Sequence, residues 1–296
     1  GDGTGWDSPF ATIQEAVRRA RTGDRINVAE GVYRENVRSV GKNIVLTSRN
    51  PHDPQVVANT IIDGGNIDSV IYLEDVDERT SIAGFTIKNG YGVYGGGIAI
   101  VNGSPAIRHN VILKCRAKLV LVEVFYSDDD YYYGGEGGGI QGCDGPVEYN
   151  RIEANRASYG GGLANCNGLI AHNTIIDNKY GGGVYKCNGV IRSNLLRHNS
   201  TYYGYSGYAY PGGGLRSCRG TIEGNIIADN GARSGGGLYD CTGVIRDNVI
   251  LRNQVREFGG GMSDCGGLIE RNLILNNTAD WGGGLANCRD IIRNNL

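Results

Sequence analysis

Gly160-Gly161-Gly162-Leu163-Ala164-Asn165-Cys166-Asn167-Gly168-Leu169-Ile170-Ala171-His172-Asn173-Thr174-Ile175-Ile176-Asp177-Asn178 is one copy of a phrase that recurs down the chain: three glycines, an aliphatic residue, usually a cysteine four places on, then Ile-x-x-Asn-x-Ile-x-x-Asn. The triplets end at Gly97, Gly139, Gly162, Gly183, Gly214, Gly237, Gly261 and Gly284, in steps of 42, 23, 21, 31, 23, 24 and 23 residues. A period near 23 with no helical spacing inside it marks a solenoid in which each repeat is one coil.

Alternation places residues within the coil. Taking residues 166–170 as a strand puts Cys166, Gly168 and Ile170 on the inner face, and Asn173, Ile175 and Asn178 follow with the spacing strand, bend, strand, bend. Stacked along the axis, Ile107, Val147, Ile170, Ile191, Ile222, Ile245, Ile269 and Ile292 form one apolar ladder. Asn110, Asn150, Asn173, Asn194, Asn225, Asn248, Asn272 and Asn295 form an asparagine ladder beside it, and Asn155, Asn178, Asn199, Asn230, Asn253 and Asn277 a second, with Cys115 in that slot on the first regular coil. Asn tolerates left-handed backbone, and its amide can bond a like amide one coil away, so a stacked Asn is expected to fix each bend.

The remainder of the chain is consistent with such a rod. The formal charge of −2 gives no footprint for nucleic acid, and no apolar run is long enough for a membrane span. Ser8 as a cap and Pro9 as first position predict a helix with Phe10, Ile13, Val17 and Ala20 on one face, a lid over the first coil. The organisation expected is a single β-helix domain over residues 1–296: a cap over 1–25, irregular coils over 26–94, and regular repeats over 95–296 interrupted by inserted loops at 116–136 and 200–211.

Pro9-Phe10-Ala11-Thr12-Ile13-Gln14-Glu15-Ala16-Val17, then Gly23-Asp24-Arg25-Ile26-Asn27-Val28-Ala29-Glu30-Gly31-Val32-Tyr33, and the triplet and Asn repeats resemble the right-handed parallel β-helix proteins of the pectate-lyase-like superfamily. The resemblance covers almost the whole chain. It implies an all-β, right-handed parallel β-helix of about ten coils. It is specific for fold and weak for function, since that superfamily holds lyases, hydrolases, epimerases and adhesins.

Cys143, Cys166, Cys187, Cys218, Cys241, Cys265 and Cys288 form a cysteine ladder, each four residues after its triplet. No Cys-x-x-Cys or Cys-His pair suits a metal, and parallel Cβ vectors suit a disulfide poorly, so they read as reduced, buried filler. Arg108, Glu148, Ala171, Arg192, Glu223, Arg246, Glu270 and Arg293 nearly alternate in sign from coil to coil, which reads as register control. One place further, His109, Tyr149 and His172 lie on successive coils and can serve proton transfer, although the column reads more simply as solvated surface.

Departures from the period are where function is expected. The two long loops enter at the same corner, three coils apart, and would overhang a floor of Gln141, Ala164, Tyr185, Lys186 and Arg216. Tyr132, Tyr133, Tyr203, Tyr205, Tyr208 and Tyr210 would wall a groove suited to a sugar chain. Asp128, Asp129 and Asp130 can offer oxygen ligands to a hard cation such as Ca2+. In a uronate lyase-like reaction Lys186 or Arg216 would neutralise the carboxylate and Tyr185 would accept a proton.

Two functional classes follow. One is an extracellular protein that binds or processes polysaccharide or a cell-surface glycan. The other is a non-enzymatic surface protein, an adhesin or filament subunit, that self-assembles or meets a neighbouring domain through a largely apolar stripe (Val111, Thr174, Leu195, Ile226, Val249 and Leu273, interrupted by Arg151 and reinforced by Leu251 and Leu275) and the coil ending at Asn295-Leu296.

Overall fold

The computed structural model describes residues 1–3, 5–118, 120–122, 131–201 and 210–296; at 120–122 and 131–133 it describes backbone only. The chain winds as a right-handed parallel β-helix with three long parallel sheets. Sheet 1 has 10 strands, from Val37–Val40 to Leu285–Ala286; sheet 2 has 11, from Arg25–Val28 to Ile291–Arg293; sheet 3 has 10, from Gly31–Tyr33 to Leu273–Leu275. Each coil visits sheets 1, 2 and 3 in turn, and every register pairs like positions, for example Ile170 with Val147 and Ile191. At the parallel-strand spacing the rod is about 50 Å long.

The core is a set of aliphatic columns, one per sheet. Leu163, Ile170 and Ile175 fill the inside of one coil and are fully buried, as are Val147, Ile191, Ile222, Ile245 and Ile269 above and below Ile170. Each such side chain is stabilised by roughly 1.5–3 kcal/mol on burial. The triplets let the coils close. Gly160 sits at φ +60, and a Cβ on Gly162 would stand 2.6 Å from the Gly183 carbonyl, so only glycine allows that approach.

Residues 166–169 are not a strand. Strands occupy Leu163–Ala164 and Ile170–Ala171, and the segment between them turns the corner from sheet 1 to sheet 2, with Asn165 left-handed at φ 52. The bends also differ from expectation. The left-handed residues are those just before the stacked asparagines, such as His172 at φ 56 before Asn173 and Asp177 at φ 55 before Asn178. The asparagine must keep its side chain inside to reach the next coil, so its predecessor takes the turn. Asn173 Nδ2 donates to Asn194 Oδ1 at 3.1 Å and to the Val147 carbonyl at 2.7 Å, and the series continues through Asn225, Asn248, Asn272 and Asn295.

Helix α1 spans Ile13–Arg19, four residues later than expected at its start. Thr12, not Ser8, is the N-cap, and the Glu35 carboxylate accepts from the Ile13 and Gln14 N–H groups at 2.8 Å each. That acidic partner fixes where the helix begins. Lys42 Nζ donates to the carbonyls of Val17 and Arg18 at the other end. Helix α2, Pro54–Asn59, stands where Pro51-His52-Asp53-Pro54 reads as a simple turn: Asp53 caps it by accepting from the Gln55 N–H. All eight cysteines are free, and all but Cys288 are buried. Burial pushes the Cys115 thiol up to about 12 and those of Cys143, Cys187, Cys218 and Cys265 up as well.

Candidate functional site

On each strand of sheet 1 the residue after the inward aliphatic points outward. In register along the rod these are Arg38, Tyr72, Ala99, Gln141, Ala164, Tyr185, Arg216, Tyr239, Ser263 and Ala286. Tyr159, the residue before the triplet 160–162, folds back over this column. Tyr159 thereby stacks on Tyr185, with ring centroids 5.0 Å apart, and Tyr210 meets Tyr159 at 5.7 Å.

Arg216 stands among these rings, its guanidinium carbon 5.4 Å from the Tyr159 centroid, 5.5 Å from that of Tyr185 and 5.6 Å from that of Tyr210. Cation–π contact stabilises the charge without using its N–H groups. Arg216 Nε and Gln141 Oε1, three coils away, are buried with no hydrogen-bond partner among the described residues. No carboxylate within ion-pair distance neutralises Arg216 among those residues, whereas Arg108, Arg246 and Arg293 are paired with Glu148, Glu223 and Glu270. An unpaired polar group in such a setting favours an incoming acceptor for Arg216 and an incoming donor for Gln141.

Lys186 follows Tyr185 in a left-handed turn, φ 49, and its Nζ lies 5.0 Å from the Tyr185 ring. The hydrogen bond to Tyr185, then that group's charge, raises the Lys186 ammonium above the usual lysine range. It is therefore a cation near neutral pH and not a free base. Burial and the neighbouring Tyr210 push the Tyr159 phenol up. Glu136, two coils before Tyr185, accepts from Asn165 Nδ2.

Of the residues singled out from sequence, Tyr185, Lys186, Arg216 and Tyr210 come together here, with Tyr185 only 7% exposed. Tyr132 and Tyr133 lie on the strand Tyr131–Tyr133, which pairs antiparallel with Val120–Val122. Tyr203, Tyr205, Tyr208, Asp128, Asp129 and Asp130 lie outside the described residues, within which no group of three metal-ligating side chains converges. Tyr159 was not read as part of the site, although its place before a triplet is the signal. Tyr94, Phe258 and Trp281 share that place and are exposed, and Phe258 stacks on Trp281 at 5.2 Å.

The His109 column is a stack. His109 and Tyr149 lie 5.1 Å apart with an interplanar angle of 6°, and Tyr149 and His172 4.9 Å apart at 8°. His52, from the turn before α2, adds to it edge-on at 4.3 Å from His109. The ring faces are consumed by one another, which suits packing better than proton transfer. Among the described residues no helix is long and apolar enough to cross a membrane.

A parallel β-helix with outward-facing aromatic and cationic residues on one sheet defines the class. The chain belongs to the family described as "Protein of unknown function (DUF1565)", a parallel β-helix family whose model matches residues 35–189. A solved structure of similar backbone is the alginate lyase from Paenibacillus sp. str. FPU-7, 11% identical, covering 94% of this chain and 96% of that one with a TM-score of 0.48, a level that carries no argument about activity. No curated protein matches the sequence.

Proposed function

We propose that the outward face of sheet 1 around Arg216 binds an acidic polysaccharide outside the cell or on a cell surface. The observation that supports this most is the Arg216 guanidinium, held among three tyrosine rings with no carboxylate partner among the described residues. A uronate carboxylate completes it as a charge-assisted acceptor, and the Tyr159 and Tyr210 rings offer faces to the C–H side of the sugar. Lys186 adds a second cation at the edge of the face.

If the face also cleaves its ligand, the step is β-elimination. Arg216 pairs with the carboxylate, Tyr185 in its phenolate form takes the C5 proton and becomes the phenol, the C4–O4 bond breaks as the C4–C5 double bond forms, and the Lys186 ammonium supplies the proton to O4. Ca2+ at Asp128, Asp129 and Asp130 belongs to the same proposal as a bridge to further carboxylates.

The test is retardation in gels containing polygalacturonate, alginate or a neutral galactomannan, with and without chelator, alongside absorbance of unsaturated product. Retardation by the uronate polymers alone, weakened at least about tenfold in Arg216→Met, supports the reading. Equal retardation of wild type and Arg216→Met, or none by any polymer, sinks it. Loss of product but not of retardation in Tyr185→Phe separates cleavage from binding.

The aliphatic stripe on sheet 3, where Ile226 and Leu275 are 46% and 42% exposed, favours a second reading as a self-assembling surface rod. A strictly monomeric mass by light scattering at high concentration removes that reading.

A further inference from the structure

The first strand of sheet 2, Arg25–Val28, has a neighbour on one side only, Val45–Ser48. Main-chain groups along a strand point alternately to its two sides. The Asp24 carbonyl accepts from the Val45 N–H at 3.0 Å, so Ile26 and Val28 face the same neighbour. The N–H and C=O groups of Arg25 and Asn27 therefore face the opposite edge, where no main-chain partner reaches them among the described residues. The corresponding edge of sheet 1 is closed: the Gln14 side chain on α1 accepts from the Arg38 N–H at 2.6 Å and donates to the Arg38 carbonyl at 3.1 Å. The cap seals one sheet and leaves the next one open.

That open edge lines a cavity of about 600 Å³ whose other walls include Trp6, Phe10, Ile13 and Ala16. The size is ordinary for a ligand site. Ile26 belongs to the inward column of Leu46, Ile82 and Ile107; those three are buried, whereas Ile26 is only partly covered and lines the cavity. The edge thus presents main-chain donors and acceptors on alternate residues, with an aliphatic surface between them. An extended chain carries matching groups at the same two-residue repeat, and a compact apolar molecule does not.

We propose that this cavity receives an extended segment of a partner polypeptide, which adds a strand to sheet 2. Its main chain bonds to Arg25 and Asn27, and an aliphatic side chain between those bonds stacks on Ile26 beneath Phe10 and Ala16. The segment alternates polar and aliphatic residues, as the rest of the column does.

The test titrates the peptide acetyl-Thr-Val-Thr-Val-Thr-amide into the full chain by calorimetry and follows amide hydrogen exchange. The expected result is saturable binding with at least about tenfold slower exchange at Arg25 and Asn27, and little change at Ile26 and Val28, which are already bonded. Asn27→Pro removes only an edge-facing N–H, so it should fold and bind about tenfold more weakly, with Asn27→Ser unaffected. No saturation at about millimolar peptide, protection that avoids Arg25 and Asn27, or undiminished binding by a folded Asn27→Pro each overturns the proposal. The exchange result on the wild-type chain decides the matter even where the proline variant does not fold.

Discussion

Replacing Asn225 by alanine tests the bonding that holds the coils in register. Asn225 is fully buried; its Oδ1 accepts from Asn194 N and Nδ2 at 3.0 Å each, and its Nδ2 donates to the Ile191 carbonyl at 2.8 Å and to Asn248 Oδ1 at 3.0 Å. Alanine removes all four bonds. Asn194 Nδ2 keeps its bonds to the Ile170 and Arg192 carbonyls, and Asn248 Oδ1 keeps the Asn225 N–H, so those groups lose strength but stay satisfied. The Asn194 N–H is left buried with no acceptor. One orphaned donor costs about 1–3 kcal/mol and the remaining bonds roughly 1 kcal/mol or less each, so about 4 kcal/mol is expected. For a chain of this size that lowers Tm by roughly 6 °C, read by circular dichroism. Asn188→Ala is the control. Asn188 is exposed, with its side chain bonded to Asn167 and to the Arg219 N–H, and its loss should cost less than about 1 kcal/mol. If Asn225→Ala unfolds no earlier than Asn188→Ala, the buried amides do not hold the register.

Three further outcomes are expected. Gly162→Ala would press a methyl group to 2.6 Å from the Gly183 carbonyl and 3.0 Å from Ile175, so it should cost at least about 2 kcal/mol in denaturant titration, whereas Gly41→Ala, which meets nothing within 4 Å but sits at φ +63, should cost only about 1 kcal/mol. A thiol reagent should label Cys288 first and the other seven cysteines only on unfolding, and rapid labelling of all eight in the native chain would contradict their burial. Burial, then the nearby His52 and Arg108, lowers His109 below its ordinary value of 6.5, against the opposing pull of Glu148. Its neutral form is therefore the native form, and the unfolded chain binds the proton first as pH falls. Stability from this group is present above about 6.5 and lost as pH drops through its folded value, so a plot of Tm against pH should flatten in that window for His109→Gln; an unchanged slope assigns the dependence elsewhere.

The repeat made the columns legible because each inward slot is sampled on coil after coil, so Ile170 or Asn173 is read together with its equivalents. What escaped was local. The left-handed turn falls on His172 and Asp177, not on Asn173 and Asn178, because the amide is needed inside and the chemistry of the preceding residue is unconstrained. Helix α2 rests on one cap and one proline over a short segment, a signal that a turn satisfies equally well. On the candidate face, Tyr185 and Arg216 were legible from their slot after the inward aliphatic. Tyr159 was harder to read, because the slot before the triplet holds Tyr94, Glu136, Tyr159, Tyr180, Pro211, Ser234, Phe258 and Trp281 in turn, an aromatic series broken by Glu136, Pro211 and Ser234 around the coils that form the face. The orphaned Nε of Arg216 and Oε1 of Gln141 depend on three-dimensional enclosure that no linear pattern carries.

The central claim is that the outward face of sheet 1 is a site for an acidic saccharide built around Arg216. A crystal structure of the chain soaked with a uronate oligosaccharide tests it most directly. The account predicts a carboxylate within hydrogen-bond distance of the Arg216 guanidinium and a sugar ring against Tyr159 or Tyr210. A saccharide ordered on another face, or none at saturating concentration, would contradict it.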